Sequence, residues 1–372
     1  MKSLLILVFV ACLAVIARAQ DAGAYGEADI ISLHIPAAQT NTTADIASYI
    51  KAHFDTDEKK VQAIYTWVTA NIRYDADSVH RVILDEDNYE LVSYALRRRK
   101  GICENFAAIF NDICRKSGLL SFMVDGYTSQ NGSVDRSTHA WCTVCIDNKW
   151  FLYDPTWDVG FSGGYATQGT HYFQVSPDMF IQSHMPFDPM FQLLNYPITY
   201  KEFNSGNLGM NSGKRYFNYT DSLNAYEQLD PLNKYIAALS RVQSNGTPNE
   251  KVKTKISKLK MEIEIINQDK DSVLYNSAIA DYNYAINNFN NFVTYRNNQF
   301  KPAKTDAEVK AIFDGIEKRI ASATRKLREL NQSKATLTLD SGDVEYALAN
   351  LSKRVKEQKE FIKNYQGTAK QN

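Results

Sequence analysis

The sequence predicts an α+β domain followed by an all-α region. Three observations carry this reading. Helical and strand-like apolar periods alternate up to about residue 203, a Gly/Asn/Ser-rich stretch occupies 204–215, and strand signals nearly vanish beyond it. The 372 residues suffice for two domains with separate cores. The expected organisation is a leader over 1–19, a catalytic-type domain over 20–203, a linker over 204–215 and a helical bundle or coiled-coil-like domain over 216–372.

The leader reading rests on order along the chain. Lys2 gives a short positive start, Leu4 to Ile16 is apolar, and Ala17-Arg18-Ala19 has the small-x-small pattern of a cleavage site before Gln20. The apolar run is shorter than the ~20 residues a membrane-spanning helix needs. A secreted or periplasmic protein with no stable membrane anchor after cleavage is therefore expected. Phe9-Val10-Ala11 before Cys12 makes a poor lipoprotein signal.

In the first domain, Val61, Ile64, Tyr65 and Val68 mark a helical stripe over 57–73, with Asp57 as its N-cap. A second helix is expected over 91–99. A third runs over 103–117, with Phe106, Ile109, Phe110 and Ile113 on one face and Gly118 as its stop. Strands are expected over 120–126, 140–146 and 150–153, and Asp147-Asn148 forms the turn between the last two. Beyond the linker, helices are expected over 226–242, 250–267, 272–298, 306–331 and 343–365, as in the apolar spacing of Ile256, Leu259, Ile263 and Ile266. This region reads as a spacer or cap, with a protein-partner surface as the functional alternative.

Composition excludes several function classes. Lys+Arg and Asp+Glu are equal at 42 each, which gives no electrostatic footing for nucleic acid. After leader removal four cysteines remain, too few for a disulfide scaffold. Cys142 and Cys145 form a C-x-x-C without a second pair, so they read as packing residues in a strand. Cys103 and Cys114 lie three turns apart on one helix and cannot bridge. His34, His53, His80 and His171 have no clustered carboxylates or thiols, so neither a metal nor another cofactor is expected.

Chemistry concentrates on three other residues. Cys103, after Gly101-Ile102, opens a helix, where free backbone N–H groups favour a thiolate and can line an oxyanion hole. The run Arg97-Arg98-Arg99-Lys100 places positive charge nearby. His139 directly precedes one strand and Asp154 ends its partner. A hairpin turning near Asp147-Asn148 would set them side by side, the carboxylate fixing the imidazole tautomer.

Gly101-Ile102-Cys103-Glu104-Asn105-Phe106-Ala107, His139-Ala140-Trp141 and Trp150-Phe151-Leu152-Tyr153-Asp154-Pro155-Thr156-Trp157-Asp158 resemble, in order and spacing, the three core motifs of the transglutaminase-like superfamily. The resemblance covers roughly 55–200 and includes the upstream Tyr65, Trp67, Ile72 and Tyr74. The segment from Tyr172-Phe173 through His184-Met185-Pro186-Phe187-Asp188-Pro189 to Gln192-Leu193-Leu194 is similar to the kyphoscoliosis-peptidase branch and its bacterial relatives. The resemblance implies a papain-like core of N-terminal helices packed on an antiparallel sheet, with Cys103 as nucleophile, His139 as base and Asp154 as orienting acid. Family members commonly carry Gly at position 105 and Asn at position 142, where this chain has Asn105 and Cys142.

Trp141, Trp150 and Trp157 are expected to pack beneath the hairpin, and Asn105, Trp141 and His184 are candidates for the substrate-pocket wall. The function so implied is an exported thiol acyl-transfer enzyme acting on protein or peptide amides through a thioester. Hydrolysis makes it a cysteine peptidase or amidase. Transfer to an amine makes it a transglutaminase, and a scaffold without chemistry makes it a binding protein.

Overall fold

The structure is a computed structural model that describes residues 26–78, 88–130, 132–161, 171–209, 213–333 and 341–369. The expected leader over 1–19 and part of the expected linker, 210–212, lie outside the described residues. No helix among the described residues is long and apolar enough to cross a membrane. The chain divides into two compact units, 1–257 and 258–372.

The first unit opens with α1 (Glu27–Leu33), α2 (Thr43–His53) and α3 (Asp57–Asn71). Thr56, not Asp57, caps α3: its side chain accepts the Lys59 N–H at 3.3 Å. A short strand β1 (Arg73–Tyr74) pairs in parallel with β2 (Lys100–Gly101), on either side of α4 (Asn88–Arg98). Then comes α5 (Cys103–Lys116), ended by Gly118, whose φ of 88° suits glycine at a helix C-terminus.

The main sheet follows, with β3 (Ser121–Gln130), β4 (Ser133–Ile146), β5 (Lys149–Tyr153) and β6 (His184–Pro186) in the order β5-β4-β3-β6, all neighbours antiparallel. The hairpin β3–β4 is longer than expected. Residues 127–130 continue β3 and 133–139 continue β4, and the mostly polar, solvent-facing run 133–138 hid the strand period. Asp147 and Asn148 have φ of 48° and 60°, the left-handed pair of a two-residue hairpin turn.

The sheet has two covered faces. Ala140, Cys142, Val144 and Ile146 of β4 pack with residues of α2, α3 and α5 in one core that includes Trp67, Phe106 and Phe110. Trp141, Phe122, Trp150 and Leu152 join Phe180, Met190, Phe191 and Leu223 in a second core. Trp141 and Trp150 thus pack against the hairpin as expected. Cys142 is fully buried and Cys145 half-buried, consistent with packing roles, and all four described cysteines are free.

After β5 come α6 (Pro155–Phe161), α7 (Pro177–Phe180), β6, and α8 (Tyr200–Asn204). The division between units falls at 257/258, so the Gly/Asn/Ser-rich stretch at 204–215 does not separate them. Two further helices, α9 (Tyr219–Glu227) and α10 (Pro231–Ser244), belong to the first unit, as does the start of α11 (Glu250–Asn297). Tyr226 of α9 meets Phe122 at 5.7 Å between ring centroids, Arg241 of α10 forks onto Asp188 at 2.8 and 2.7 Å, and Lys255 of α11 reaches Asp125 at 2.6 Å. The helix expected over 226–242 is instead two, because Asp230-Pro231 caps and opens α10. The helices expected over 250–267 and 272–298 are one.

The second unit holds the rest of α11 with α12 (Asp306–Leu330) and α13 (Gly342–Ala369). Ala278 groups with Leu327 and Leu348, while Phe292 groups with Phe313 and Val355. Numbers rise along α11 and α13 as they fall along α12, so the three helices run up, down and up. Asp281 inside this bundle meets Lys326 and Arg319, each at 2.6 Å.

Candidate active site

Three stretches of chain bring Cys103, His139 and Asp154 together. Cys103 is the first residue of α5, held there by the Asn105 side chain: its Oδ1 accepts the Ile102 N–H at 3.0 Å, while its Nδ2 donates to the Leu91 carbonyl at 2.9 Å. Gly101 is required beside it, because a Cβ there would lie 2.6 Å from that of Asn105. His139 lies within β4, and the backbone N–H of the next residue, Ala140, favours the thiolate form of Cys103, against the larger opposing effects of burial and Glu104. Asp154 is the residue between β5 and α6.

Asp154 serves two structures at once. Its Oδ1 accepts the Thr156 and Trp157 N–H groups at 2.9 and 3.2 Å, an N-cap for α6, with Pro155 at the position where a missing N–H costs nothing. Its Oδ2 meets His139 Nε2 at 2.6 Å and His184 Nε2 at 3.2 Å. Full burial would raise this carboxyl's pKa, but His139 and His184 more than offset it and hold it well below the usual carboxylate range. Nearby, Tyr65 donates to Asp158 at 2.5 Å and to the Asp154 carbonyl at 3.1 Å, which ties α3 to the start of α6.

The register behind this pairing differs from the one expected. Ile146 is opposite Lys149 and Cys142 opposite Tyr153, which continues to Trp141 opposite Asp154. His139 is therefore two residues beyond the position opposite Asp154. It still meets the carboxylate because residues two apart share a face and a diagonal neighbour is within reach of a long side chain.

The electrostatics of Cys103 also differ from expectation. Burial pushes its thiol pKa well above the ordinary cysteine value, and the neighbouring Glu104 carboxylate adds to this. The S–H group donates to Glu104 Oε2 at 3.0 Å rather than to the His139 ring. Three of the four residues of the basic run are engaged elsewhere. Lys100 and Arg98 face the buried Asp75 at 3.0 and 3.6 Å, and Arg99 donates to Thr40 and lies over the Trp67 ring. Burial and Glu104 together favour the neutral thiol of Cys103, and sequence reasoning missed Glu104 because its backbone position, not its spacing, aims it at the sulfur.

The three candidates for the pocket wall are placed otherwise. Asn105, Trp141 and His184 are 3%, 0% and 0% exposed, so none forms a wall open to substrate. Asn105 is consumed by the cap. Trp141 lies in the second core beneath the sheet, its ring 5.2 Å from that of His184. A cleft of about 240 Å³ opens instead at His139, lined by Tyr74, Gln130, Thr156, Trp157 and Gly160. A larger hollow of about 470 Å³, lined by Ile35, Asn71, Arg73 and Arg99 among others, includes none of Cys103, His139 and Asp154.

His139, Asp154 and His184 offer three ligand atoms within 4.8 Å of one another, which among the described residues is the one such group able to hold a metal ion. Both imidazole nitrogens already point at one carboxylate oxygen over hydrogen-bond distances, an arrangement suited to protons rather than a metal.

Residues 44–155 also match a known family model. The sequence model of the transglutaminase-like superfamily core matches residues 44–155, a span that contains Cys103, His139 and Asp154. Human kyphoscoliosis peptidase is 28% identical over 173 residues, 43% of this chain and 25% of that protein. Hillarin of Drosophila melanogaster is 22% identical over 202 residues, 48% of this chain and 24% of that protein. The chain thus spans about a quarter of the length of these curated relatives. Among solved structures, the periplasmic domain of TgpA from Pseudomonas aeruginosa aligns with 18% identity over 36% of this chain and 49% of that one, at a TM-score of 0.27. Residues 44–155 thus match the core domain of the transglutaminase-like superfamily.

Proposed function

We propose that the first unit is a thiol acyl-transfer enzyme, most simply a cysteine peptidase or amidase acting on protein or peptide amides. The observation that carries this reading is the buried Asp154–His139 pair at 2.6 Å, on a strand whose next backbone N–H, that of Ala140, favours the Cys103 thiolate. A carboxylate on Nε2 leaves His139 Nδ1 as the ring nitrogen free to take the thiol proton. The sulfur then attacks the amide carbonyl, the C–S bond forms, and the oxyanion rests against the Cys103 N–H at the head of α5. The C–N bond breaks as the imidazolium protonates the departing amine. Water, deprotonated by the same imidazole, cleaves the thioester and releases the acid. The leader-like sequence over 1–19 supports action outside the cytoplasm.

The test is to incubate the full chain with a mixed peptide library, with and without a primary amine, and to identify products by mass spectrometry. Cleaved peptides that vanish with Cys103→Ala and His139→Ala are expected. Amine-tagged glutamines in place of cleaved peptides would replace hydrolysis by transfer. Were neither product formed, and Cys103 alkylation unchanged by His139→Ala, the enzymatic reading would be refuted.

A further inference from the structure

We infer that His184 is a positioning residue of the acyl-transfer site, a neutral imidazole whose Nε2–H holds Asp154 in the orientation that aims His139. This rests on the triad reading above and adds a fourth member from a different strand.

The proton assignment follows from the contacts. Asp154 Oδ2 belongs to an ionised carboxylate and can only accept, so His184 Nε2, 3.2 Å away, carries a hydrogen and donates. A neutral ring has one such hydrogen, so Nδ1 accepts, and Ser183 Oγ–H at 2.7 Å is its donor. Burial keeps the ring neutral, lowering its pKa to about 4 against the opposing pull of Asp154. The ring cannot swing away, because Phe180 lies 4.0 Å and Trp157 4.4 Å from it between centroids, and its exposure is nil.

His184 reaches this place through the sheet. It pairs with Thr128 of β3, while two residues along β3 Gly126 sits between His139 on one side and Pro186 on the other. His139 and His184 therefore approach Asp154 Oδ2 from strands on opposite sides of β3. With the two N–H groups on Oδ1, the carboxylate accepts four hydrogen bonds, filling its capacity. Without the His184 donor, Oδ2 could rotate out of line with His139, and the base would lose its fixed tautomer.

The experiment compares His184→Gln, which retains an N–H donor near the Nε2 position, with His184→Leu, which keeps bulk and removes the donor. The readout is the alkylation rate of Cys103 by iodoacetamide in the full chain, with peptide mapping to isolate that cysteine. A loss of about tenfold or more is expected for the Leu variant, the worth of one hydrogen bond to a charged group, and recovery to within about threefold of wild type for Gln. Selective ¹⁵N-histidine NMR of the wild-type chain should show His184 neutral and protonated on Nε2 at neutral pH. An imidazolium, or the Nδ1–H tautomer, would overturn the assignment even if the Leu variant failed to fold. If Asp154→Asn and His139→Ala slow alkylation and His184→Leu does not, the His184 inference fails alone. If none of the three has an effect, the triad reading fails with it.

Discussion

Glu104 should restrain the nucleophile it follows, and replacing it with Gln should make Cys103 more reactive. The carboxylate accepts the thiol hydrogen at 3.0 Å, so it stabilises the S–H form and repels the thiolate. The lower bound on that effect is the difference between a charged and a neutral hydrogen bond, about 1 kcal/mol. An upper bound is the repulsion of two anions ~4 Å apart near a protein surface, about 4 kcal/mol at an effective dielectric constant of ~20. Glu104 is partly exposed and can turn toward water, which favours the lower part of this range, about 1.5–2 kcal/mol. That corresponds to roughly 10–30-fold more thiolate at a given pH below the thiol's own titration. A less basic thiolate is also a poorer nucleophile, with a slope of about 0.4–0.5, so roughly half the gain survives on a logarithmic scale. Glu104→Gln should therefore alkylate about three- to fivefold faster with iodoacetamide near neutrality. Peptide mapping must separate Cys103 from the half-buried Cys145. Equal rates for Glu104→Gln and wild type across pH 6–9 would refute the reasoning, since they would mean the carboxylate leaves the thiol unaffected.

Gly126→Ala should destabilise the first unit by about 1–3 kcal/mol in urea unfolding, because the added Cβ would meet the Met185 carbonyl and lie 2.5 Å from the Trp141 ring. An unchanged midpoint would show that β6 can move aside. In the second unit, burial raises the Asp281 pKa, but Lys326, Ser322 and Arg319 outweigh it and hold the group down at about 2. Its folded pKa is depressed, so its stabilisation is fully present above the unfolded value near 4 and fades as pH falls through about 2. The melting temperature of Asp281→Asn should accordingly lie below wild type at pH 6 and approach it near pH 2; a gap that is constant with pH would contradict the ion-pair account.

Much of the site was legible in the sequence because its parts are local. Cys103 at a helix start and the turn at Asp147-Asn148 need only short-range signals, and the motif spacing joined them to His139 and Asp154. The register argument reached the right pair through the wrong opposition, since it centred the hairpin one residue early; a diagonal contact absorbed the error. His184 was less legible. Its strand is three residues long and ends in Pro186, too short for any periodicity, so only the folded sheet reveals that it faces Asp154 rather than a pocket. The charge of the Arg97–Lys100 run was misread for a similar reason. Its partner Asp75 lies more than twenty residues upstream, and pairing at that distance is set by β1 and β2 lying parallel. The compact units meet at 257/258 and not at 204–215, since a Gly/Asn/Ser-rich composition says nothing about contacts made by the helices that follow it.

The His184 contact with Asp154 has a consequence for how the protein comes into being. A nascent chain that has emerged from the ribosome as far as residue 170 already holds Cys103, His139 and Asp154 in order, yet it lacks the His184 imidazole that completes the bonding of the carboxylate. If His184 positions the carboxylate as proposed, the full reactivity of Cys103 would arrive late in synthesis, with the strand that closes the sheet edge, and an incomplete polypeptide would carry every residue of the trio without the donor that holds Asp154.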